Sequence, residues 1–209
     1  MSYNPKDHYF KKAKEQNFAA RSVFKLEEID QKLKIVKPGQ LVLDLGASPG
    51  SWSQYCSQKI GAKGRILGVD LKPVTTKLPN AVFIQADLRD TLLEDTFKDN
   101  GFVPPFDLVI SDMAPNTTGI RGTDQARSFE LCELALKISA HFLKKEGHFV
   151  CKFFHSGDFT LLKTHMQEQF QKVDIVKPES TRSISKEIFL IGIRKKNDPE
   201  CLSDKKYLP

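Results

Sequence analysis

The chain has 209 residues, of which 40% are hydrophobic and 28% are charged, and its formal net charge at pH 7 is +6. This length and composition suit one α/β domain of an ordinary globular protein, and no apolar run approaches the ~18 residues of a membrane span. The polar N-terminus does not resemble a signal peptide, and the four cysteines lack zinc-ligand spacing, so we expect a reduced, cytoplasmic protein without a metal or a membrane partner.

Residues 1–38 are predicted to form a basic helical extension. Residues 1–34 hold eight Lys or Arg and five Asp or Glu, and residues 172–209 hold nine and six, so each end has a net charge of +3. In "RSVFKLEEIDQKL", helical spacing predicts an apolar stripe that docks on the domain, formed by Val23, Leu26, Ile29 and Leu33. Ser22 is a candidate cap of this helix. Arg21 and Lys25 are four residues apart and would share a face away from the stripe.

Residues 39–196 alternate between short apolar runs and helical patterns, which is typical of βαβ units. Strands are predicted at 41–45, 65–70, 81–85, 107–111, 148–154, 172–176 and 187–193, and helices at about 51–60, 90–98, 125–145 and 158–170. The fold class predicted is therefore α/β, a Rossmann-like, mostly parallel sheet of seven strands with helices on both faces. The link 177–186 is too short for a helical crossover, so the last strand is expected to be antiparallel. Residues 197–209 are predicted to be a C-terminal tail.

The stretch "LVLDLGASPGSW" predicts a strand, a glycine turn and a helix, the place where an open parallel sheet binds a nucleotide-like ligand. Asp44 ends the strand, and Gly46 and Gly50 allow the backbone to approach a ligand closely. The spacing is not GxGxxG, and Pro49 removes an amide donor that a pyrophosphate would use, which disfavours a nicotinamide-dependent oxidoreductase. The pattern DxGxxPG instead favours a ligand without phosphates, such as S-adenosylmethionine.

Two further acids follow predicted strands. Asp70 lies 20 residues after Gly50, where an acid typically accepts hydrogen bonds from ribose hydroxyls. Asp87 follows the third strand and is placed to bond an adenine amino group. Each acid alone is also typical of a turn or a helix cap. Three strand-end acids in order, together with the glycine turn, predict a cofactor site.

Four charged residues are expected at one edge of the sheet. Asp112 ends the fourth strand at its carboxyl end, where ligands collect, and Lys152 lies late in the fifth strand, inside the apolar run "HFVCKFF". Glu187 begins the seventh strand and reaches the same edge only if that strand is antiparallel. The docked N-terminal helix would present Lys25 from the side. A lysine in an apolar strand is costly without a partner, which points to a functional role for Lys152.

With these residues the chain resembles the FtsJ/RrmJ family of ribosomal RNA 2′-O-ribose methyltransferases, from about residue 8 to 195. The resemblance rests on "RSVFKLEEI", "DLGASPGSWSQ", "VDL", "SDMAPN", "VCKFF" and "KPESTRSISKEIFLI". It implies an enzyme that uses S-adenosylmethionine and releases S-adenosylhomocysteine. It implies a catalytic tetrad at Lys25, Asp112, Lys152 and Glu187, and cofactor contacts at Gly50, Trp52, Asp70, Asp87 and Asp112. Ser51 departs from the glycine of many members.

The implied chemistry assigns a role to each member of the tetrad. A ribose 2′-hydroxyl is a poor nucleophile, so the enzyme must aim it at an activated methyl group and take up its proton. Lys152 is the expected base or hydroxyl-steering group, and Asp112 orients it. Lys25 is expected to contact the ribose or a phosphate, and Glu187 to align the lysines or the acceptor ribose.

Basic residues near this edge are candidate contacts to RNA phosphates. They are Lys11, Lys12, Lys14, Arg21, Arg182, Lys186 and Arg194, although the N-terminal lysines are equally typical of a solvated helix face. The loop 113–124 is expected to close over the substrate, with Arg121 reaching it. "SDMAPN" resembles the ribosomal RNA enzymes of the family more than its tRNA enzymes. A uridine of large-subunit ribosomal RNA is the expected target, and a monomeric enzyme is expected. A tRNA anticodon-loop 2′-O-methyltransferase and a non-catalytic RNA-binding or assembly factor are the alternatives.

Overall fold

The computed structural model describes residues 5–90, 92–182 and 185–196, so the predicted C-terminal tail lies outside the described residues. Helices and strands follow one another as α1 (Pro5–Glu15), α2 (Val23–Leu33), β1 (Leu41–Leu45), α3 (Ser51–Ile60), β2 (Arg65–Asp70), β3 (Ala81–Gln85), α4 (Leu93–Asp99), β4 (Phe106–Ser111), α5 (Arg121–Phe142), β5 (Leu143–Phe154), α6 (Phe159–Gln169), β6 (Phe170–Val176) and β7 (Glu187–Lys195). Every strand expected from the sequence is present.

The strands form one seven-stranded sheet in the order β3-β2-β1-β4-β5-β7-β6. Neighbours from β3 to β5 pair in parallel, whereas β7 is antiparallel to both β5 and β6. The predicted Rossmann-like sheet with an antiparallel last strand is thereby confirmed. The chain leaves β1 towards β2 on one side and returns to β4 on the other. This reversal opens a crevice at the carboxyl ends of β1 and β4, where such sheets bind ligands.

Hydrophobic side chains cover both faces of the sheet, because successive residues of a strand point to opposite sides. In β1, Val42 packs with α2 and α3, whereas Leu43 packs with α4, α5 and α6. The stripe predicted on α2 contributes to the first of these layers: Val23, Leu26 and Ile29 are at most 1% exposed. Helix α2 is therefore built into the core, and its other side remains available to the edge of the sheet.

The border between α5 and β5 differs from the prediction. A helix was expected to run to residue 145, but α5 ends at Phe142, and Leu143 already pairs with Phe106 of β4. The strand pairing is then out of register until His148, and Glu146 adopts a left-handed backbone with φ 62. Residues 144–146 are good helix formers by propensity, but strand pairing on both sides of them prevails. Helix α4 likewise begins at Leu93 rather than near residue 90.

The predicted cap of α2 is also corrected. Ser22 occupies the N-cap position, but its side chain makes no capping hydrogen bond. Its hydroxyl lies 2.9 Å from the hydroxyl of Ser51, the first residue of α3. Ser22 therefore joins α2 to α3, and Ser51, the one noted departure from the family pattern, is its partner.

Candidate active site

A cavity of about 680 Å³ opens at the carboxyl ends of β1, β2, β3 and β4. This is the size of a site for a small molecule or cofactor. Its polar wall includes Gly46, Ser48, Pro49, Asp70, Asp87, Asp112 and Asn116, and its apolar wall includes Leu71, Leu88, Met113, Leu131 and Leu134. Five of the predicted cofactor-site residues thus line one space. The apolar wall from α5 was not predicted, because a helix with mixed polarity gives no sign of which side faces a ligand.

The turn at Gly46 gives this cavity its close backbone approach. Gly46 has φ 78, and a Cβ there would lie 2.5 Å from Met113 Cγ. Gly50 has φ 108 at the start of α3, and a Cβ there would lie 2.8 Å from Thr76. Both positions therefore require glycine, for backbone conformation and for space.

The strand-end acids present carboxylates to the cavity. Asp70 accepts hydrogen bonds from the backbone N–H of Ser48 at 2.9 Å and of Lys72 at 2.7 Å. Asp87 accepts from the N–H of Arg89 at 3.0 Å. These backbone amides fix the orientation of each carboxylate. Because a carboxylate oxygen has two lone pairs, both acids can still accept a hydrogen bond from a ligand hydroxyl or amino group. These carboxylate acceptors fit the ribose hydroxyls and adenine amino group of S-adenosylmethionine.

Asp44, Gly50 and Trp52 were predicted at the cofactor site but do not line this cavity. Asp44 is 1% exposed and accepts a hydrogen bond of 2.6 Å from the Ser53 hydroxyl. Burial, and to a lesser degree the neighbouring Asp112 and Asp70, raise the pKa of Asp44 to about 7. Within the described residues its Oδ1 atom has no hydrogen-bond partner, which leaves an acceptor directly behind the glycine turn.

Trp52 is the clearest departure from the predicted set. Its side chain is 3% exposed, packs against Phe189 with ring centroids 5.7 Å apart, and donates its indole N–H to the carbonyl oxygen of Ser22 at 2.9 Å. The structure therefore places Trp52 in the core between α2, α3 and β7. An aromatic residue directly after a glycine turn gave no sequence signal that it faces inward.

Two ion pairs lie at the edge of the sheet formed by the end of β4, the end of β5 and the start of β7, called here the reactive edge. Lys152 is 8% exposed; its ammonium lies 3.0 Å from Asp112 Oδ1 and donates to the Asp112 carbonyl oxygen at 2.6 Å. Lys25 Nζ lies 2.6 Å from Glu187 Oε1, with side chains 13% and 11% exposed. The four residues of the implied tetrad are thus held as two pairs, and each buried cation has a carboxylate partner as burial requires.

Strand register brings the two pairs to one face of the sheet. Lys152 pairs with Phe189, and Phe154 pairs with Glu187. Residues directly opposite each other, and residues two apart on a strand, point to the same side. Lys152 and Glu187 therefore project from neighbouring strands onto the face that α2 covers, and Lys25 on α2 meets them there. Asp112 belongs both to this group and to the cavity wall, so it connects the cofactor space to the lysines.

The candidate RNA contacts divide into two regions. Lys11, Arg182 and Lys186 are exposed, and Lys12 lies with its ammonium 4.5 Å from the centroid of the Phe24 ring. Arg21 donates to the carbonyl oxygen of Ser180, and burial together with neighbouring Arg182 lowers the pKa of its guanidinium. All of these belong to α1, the turn before α2 and the segment before β7.

Arg194 lies elsewhere. It is near the far end of β7, where its guanidinium lies 3.7 Å from Glu146 and its backbone N–H donates to His148. This is the sheet edge opposite to Glu187, so the structure separates Arg194 from the other candidates. Lys14 is exposed, with its ammonium 5.9 Å from the Phe10 ring centroid on α1.

No cluster of three or more His, Cys, Asp or Glu side chains suited to a metal ion occurs among residues 5–90, 92–182 and 185–196. Over the same residues, none of the helices combines the length and the apolar character needed to cross a membrane. Cys56, Cys132 and Cys151 are buried free thiols.

Comparison with known proteins supplies relatives over most of the chain. Residues 18–195 match the model of the FtsJ-like methyltransferase family. The chain is 74% identical to ribosomal RNA large subunit methyltransferase E of Bdellovibrio bacteriovorus over 196 residues, which covers 94% of this chain and 100% of that protein. It is 46% identical to the protein of the same name from Syntrophobacter fumaroxidans, covering 93% of this chain and 98% of that one.

Solved structures agree with the fold. A ribosomal RNA methyltransferase from Plasmodium falciparum is similar with a TM-score of 0.74 and 27% identity, covering 85% of this chain and 98% of that chain. Fibrillarin from Aeropyrum pernix, solved with natively bound S-adenosyl-L-methionine, is similar in fold with a TM-score of 0.58 and 18% identity, covering 76% of this chain and 68% of that chain.

Proposed function

Because the chain belongs to the FtsJ-like methyltransferase family, we propose that it transfers a methyl group from S-adenosylmethionine to a ribose 2′-hydroxyl of large-subunit ribosomal RNA, at a uridine. The observation that carries this proposal is the pair formed by the buried Lys152 and the partly buried Asp112, whose charged groups are 3.0 Å apart. The Asp112 carboxylate also lines the cofactor-sized cavity. It joins a cofactor space to a group that can bind and deprotonate a hydroxyl.

The residues present fit the proposed cofactor. Gly46 brings the backbone to the cavity wall, and Asp70 and Asp87 supply acceptors for ribose hydroxyls and an adenine amino group. Asp44 is a buried acid behind the turn with an oxygen unused by the described residues. When bound, S-adenosylmethionine supplies a methyl group activated by a positively charged sulfur, which becomes a neutral thioether as the carbon–sulfur bond breaks and the oxygen–carbon bond forms.

The role of the chain's own residues is to aim the hydroxyl and take up its proton. Lys152 Nζ is the group proposed to bind the 2′-hydroxyl, and in its neutral form it accepts the proton as oxygen attacks. Asp112 fixes Lys152 through two contacts, to its carboxylate and its carbonyl oxygen. Lys25, paired with Glu187, is proposed to hold the acceptor ribose or its phosphate from the α2 side. Holding both reactants in this geometry is itself a large part of the rate enhancement.

Large-subunit ribosomal RNA is favoured over tRNA because the similar curated proteins named above are ribosomal RNA large subunit methyltransferases over nearly the whole chain. The exposed Lys186, next to Glu187 in the sequence, and the exposed Arg182 at the end of the segment 177–182 supply positive charge for a phosphate backbone. The proposed substrate places the protein in the cytoplasm, where we expect it to act as a monomer.

The test is methylation of defined RNAs by the purified protein. Large ribosomal subunits that lack ribose methylation, and an unmodified tRNA pool, are each incubated with S-adenosylmethionine labelled in the methyl group. We expect label at one ribose of large-subunit RNA and none in tRNA, located by mapping of 2′-O-methyl groups. Label confined to the tRNA anticodon loop would replace this proposal by the tRNA alternative. Cofactor binding without methyl transfer to either RNA would favour an assembly factor.

A further inference from the structure

One side of α2, together with the turn before it, contacts the segment that precedes β7 and the first residue of β7. Arg21, Lys25 and Glu28 are four and three residues apart, which puts them on one side of the helix and of the turn before it. Arg21 donates to the Ser180 carbonyl oxygen, Glu28 accepts hydrogen bonds from the backbone amides of Glu179 and Ser180, and Lys25 pairs with Glu187 of β7. Residues 177–182, called here the strap, are therefore held to α2 at Glu179 and Ser180.

Glu28 makes two of the backbone contacts. Its Oε2 accepts from the N–H of Glu179 at 2.6 Å and its Oε1 from the N–H of Ser180 at 3.0 Å, across more than 150 residues of sequence. Hydrogen bonds to an ionised acceptor are roughly twice as strong as neutral ones. Because both carboxylate oxygens are used, the strap is fixed in orientation as well as in position.

The strap has little else of its own to fix it. Its residues form neither helix nor strand. Within the described part of the chain, two local bonds are present: the Thr181 N–H donates to the Pro178 carbonyl oxygen at 3.0 Å, and the Ser185 N–H donates to the Arg182 carbonyl oxygen at 2.8 Å. Ser180 is nevertheless 1% exposed and Thr181 8% exposed. Burial of a short irregular segment requires partners for its amides, and α2 supplies two of them through Glu28.

The strap ends at Arg182, which is exposed, and leads to Glu187 five residues later. Arg182 lies two residues after Ser180, whose carbonyl oxygen accepts from Arg21 and whose N–H donates to Glu28. The like charge of Arg182 accordingly lowers the pKa of the Arg21 guanidinium, in addition to the effect of burial. Two guanidinium groups that repel each other in the free protein would be drawn together by a phosphate. A flexible strap would let Arg182 move away from Arg21, and the contacts of Glu28 prevent this.

We infer that Glu28 is a positioning residue for the RNA substrate: by binding the amides of Glu179 and Ser180, it holds Arg182 next to Arg21 and so forms a site for an RNA phosphate beside Glu187. This inference rests on the proposed function for the identity of the ligand as RNA. Glu28 itself touches neither the RNA nor the cofactor.

The test compares Glu28→Ala with Glu27→Ala, a neighbour on the same helix that removes the same charge. Large ribosomal subunits lacking the methyl group serve as substrate. We expect Glu28→Ala to raise KM for the subunits about tenfold, equivalent to about 1.4 kcal/mol. We expect kcat and the affinity for S-adenosylhomocysteine to change less than about threefold, because Lys25 still holds Glu187. Glu27→Ala should leave KM within about twofold, and Glu28→Gln, which keeps one acceptor, should fall between them.

Two further measurements separate positioning from a general loss of structure. In an Arg182→Ala background, Glu28→Ala should raise KM less than about twofold, because residues that act through one another are not additive. Amide hydrogen exchange at Glu179 and Ser180 should accelerate in Glu28→Ala but not in Glu27→Ala, with no RNA present.

The inference is overturned if the KM effects of Glu28→Ala and Arg182→Ala multiply, or if exchange at Glu179 and Ser180 is the same in both Glu variants. If the two variants differ in exchange but the wild-type protein methylates no ribosomal subunit, the proposed function is refuted instead. The two failures are therefore distinguishable.

Discussion

Lys152 is 8% exposed in a strand whose neighbours Cys151 and Phe153 are at most 1% exposed. Its ammonium is accommodated because Asp112 supplies both a carboxylate and a carbonyl oxygen within 3.0 Å. Neighbouring β7 adds no cation or acid directly opposite, since Lys152 pairs with Phe189. Asp112 is thus the residue that holds the ammonium, through two acceptors. An ammonium has three N–H donors, so one is left for a substrate hydroxyl.

Replacement of Lys152 by Ala is therefore expected to abolish methyl transfer, with a loss of at least about 100-fold in kcat, the low end for a group that transfers a proton. Affinity for S-adenosylhomocysteine, measured by calorimetry, should stay within a few-fold, because Lys152 does not line the cofactor cavity. Glu187→Ala is the matched comparison, because it removes the partner of Lys25 and leaves the pair of Lys152 and Asp112 in place. We expect the smaller loss from Glu187→Ala, and near-normal turnover of Lys152→Ala would exclude the proposed mechanism.

Asp70 has the complementary role at the cofactor end of the site. Asp70→Ala should lower the affinity for S-adenosylhomocysteine by about tenfold or more, because it removes an acceptor for the ribose and the two bonds that hold Ser48 and Lys72. The loss should appear in equilibrium dialysis without RNA. Asp107→Ala, which removes a carboxylate that binds Leu41 and Lys144 near the start of β4, serves as the control and should bind the cofactor normally. Equal losses in both variants would indicate damage to the sheet instead.

At the scale of elements, the parts that could be predicted are those set by local pattern and chain length. Apolar runs located the strands, and the ten-residue link 177–186 gave the direction of β7, which brings Glu187 to the reactive edge. The predicted end of α5 near residue 145 was wrong, because strand pairing outweighs helix propensity from Leu143 onward. The contacts of Trp52 and Glu28 could not be predicted for another reason. Sequence spacing does not show which way a single side chain points or which distant backbone groups it binds.

The junction of β1 and α3 carries a prediction about pH. Burial raises the pKa of Asp44 to about 7. Below its unfolded pKa, Asp44 is protonated in both states. Between about pH 4 and pH 7 only the folded state keeps the proton, so the contribution of Asp44 to stability falls as pH rises and is lowest above pH 7.

Asp44→Asn removes this titration while keeping an acceptor for the Ser53 hydroxyl. We expect the variant to gain free energy of unfolding relative to wild type as pH rises from 5 to 8, by about 1 to 4 kcal/mol. Urea unfolding of both proteins at each pH measures this, and all other titrating groups cancel in the difference. A difference that is constant with pH would show that Asp44 is ionised throughout.

At the scale of the whole molecule, folding brings parts of the two basic ends of the sequence together. Among the described residues they meet where Arg21 and Glu28 contact the strap. Arg21 from one end and Arg182 from the other thus belong to one region, whereas Arg194 lies at the opposite end of β7. The neutral middle of the chain supplies most of the sheet and the cofactor cavity.

This arrangement predicts that RNA affinity falls with salt, and that the steepness depends on which basic residues remain. The slope of log affinity against log salt changes by about 0.7 to 0.9 for each phosphate contact. Removing both Arg182 and Lys186 by Ala substitution should therefore flatten the slope by about 1 to 2. Arg194→Ala is the control, because Arg194 lies beside Glu146 at the opposite end of β7 and should leave the slope unchanged. The measurement is filter binding of large-subunit RNA across a salt series. Equal effects from Arg194→Ala and from the double variant would mean that RNA binding follows net charge and not the reactive edge.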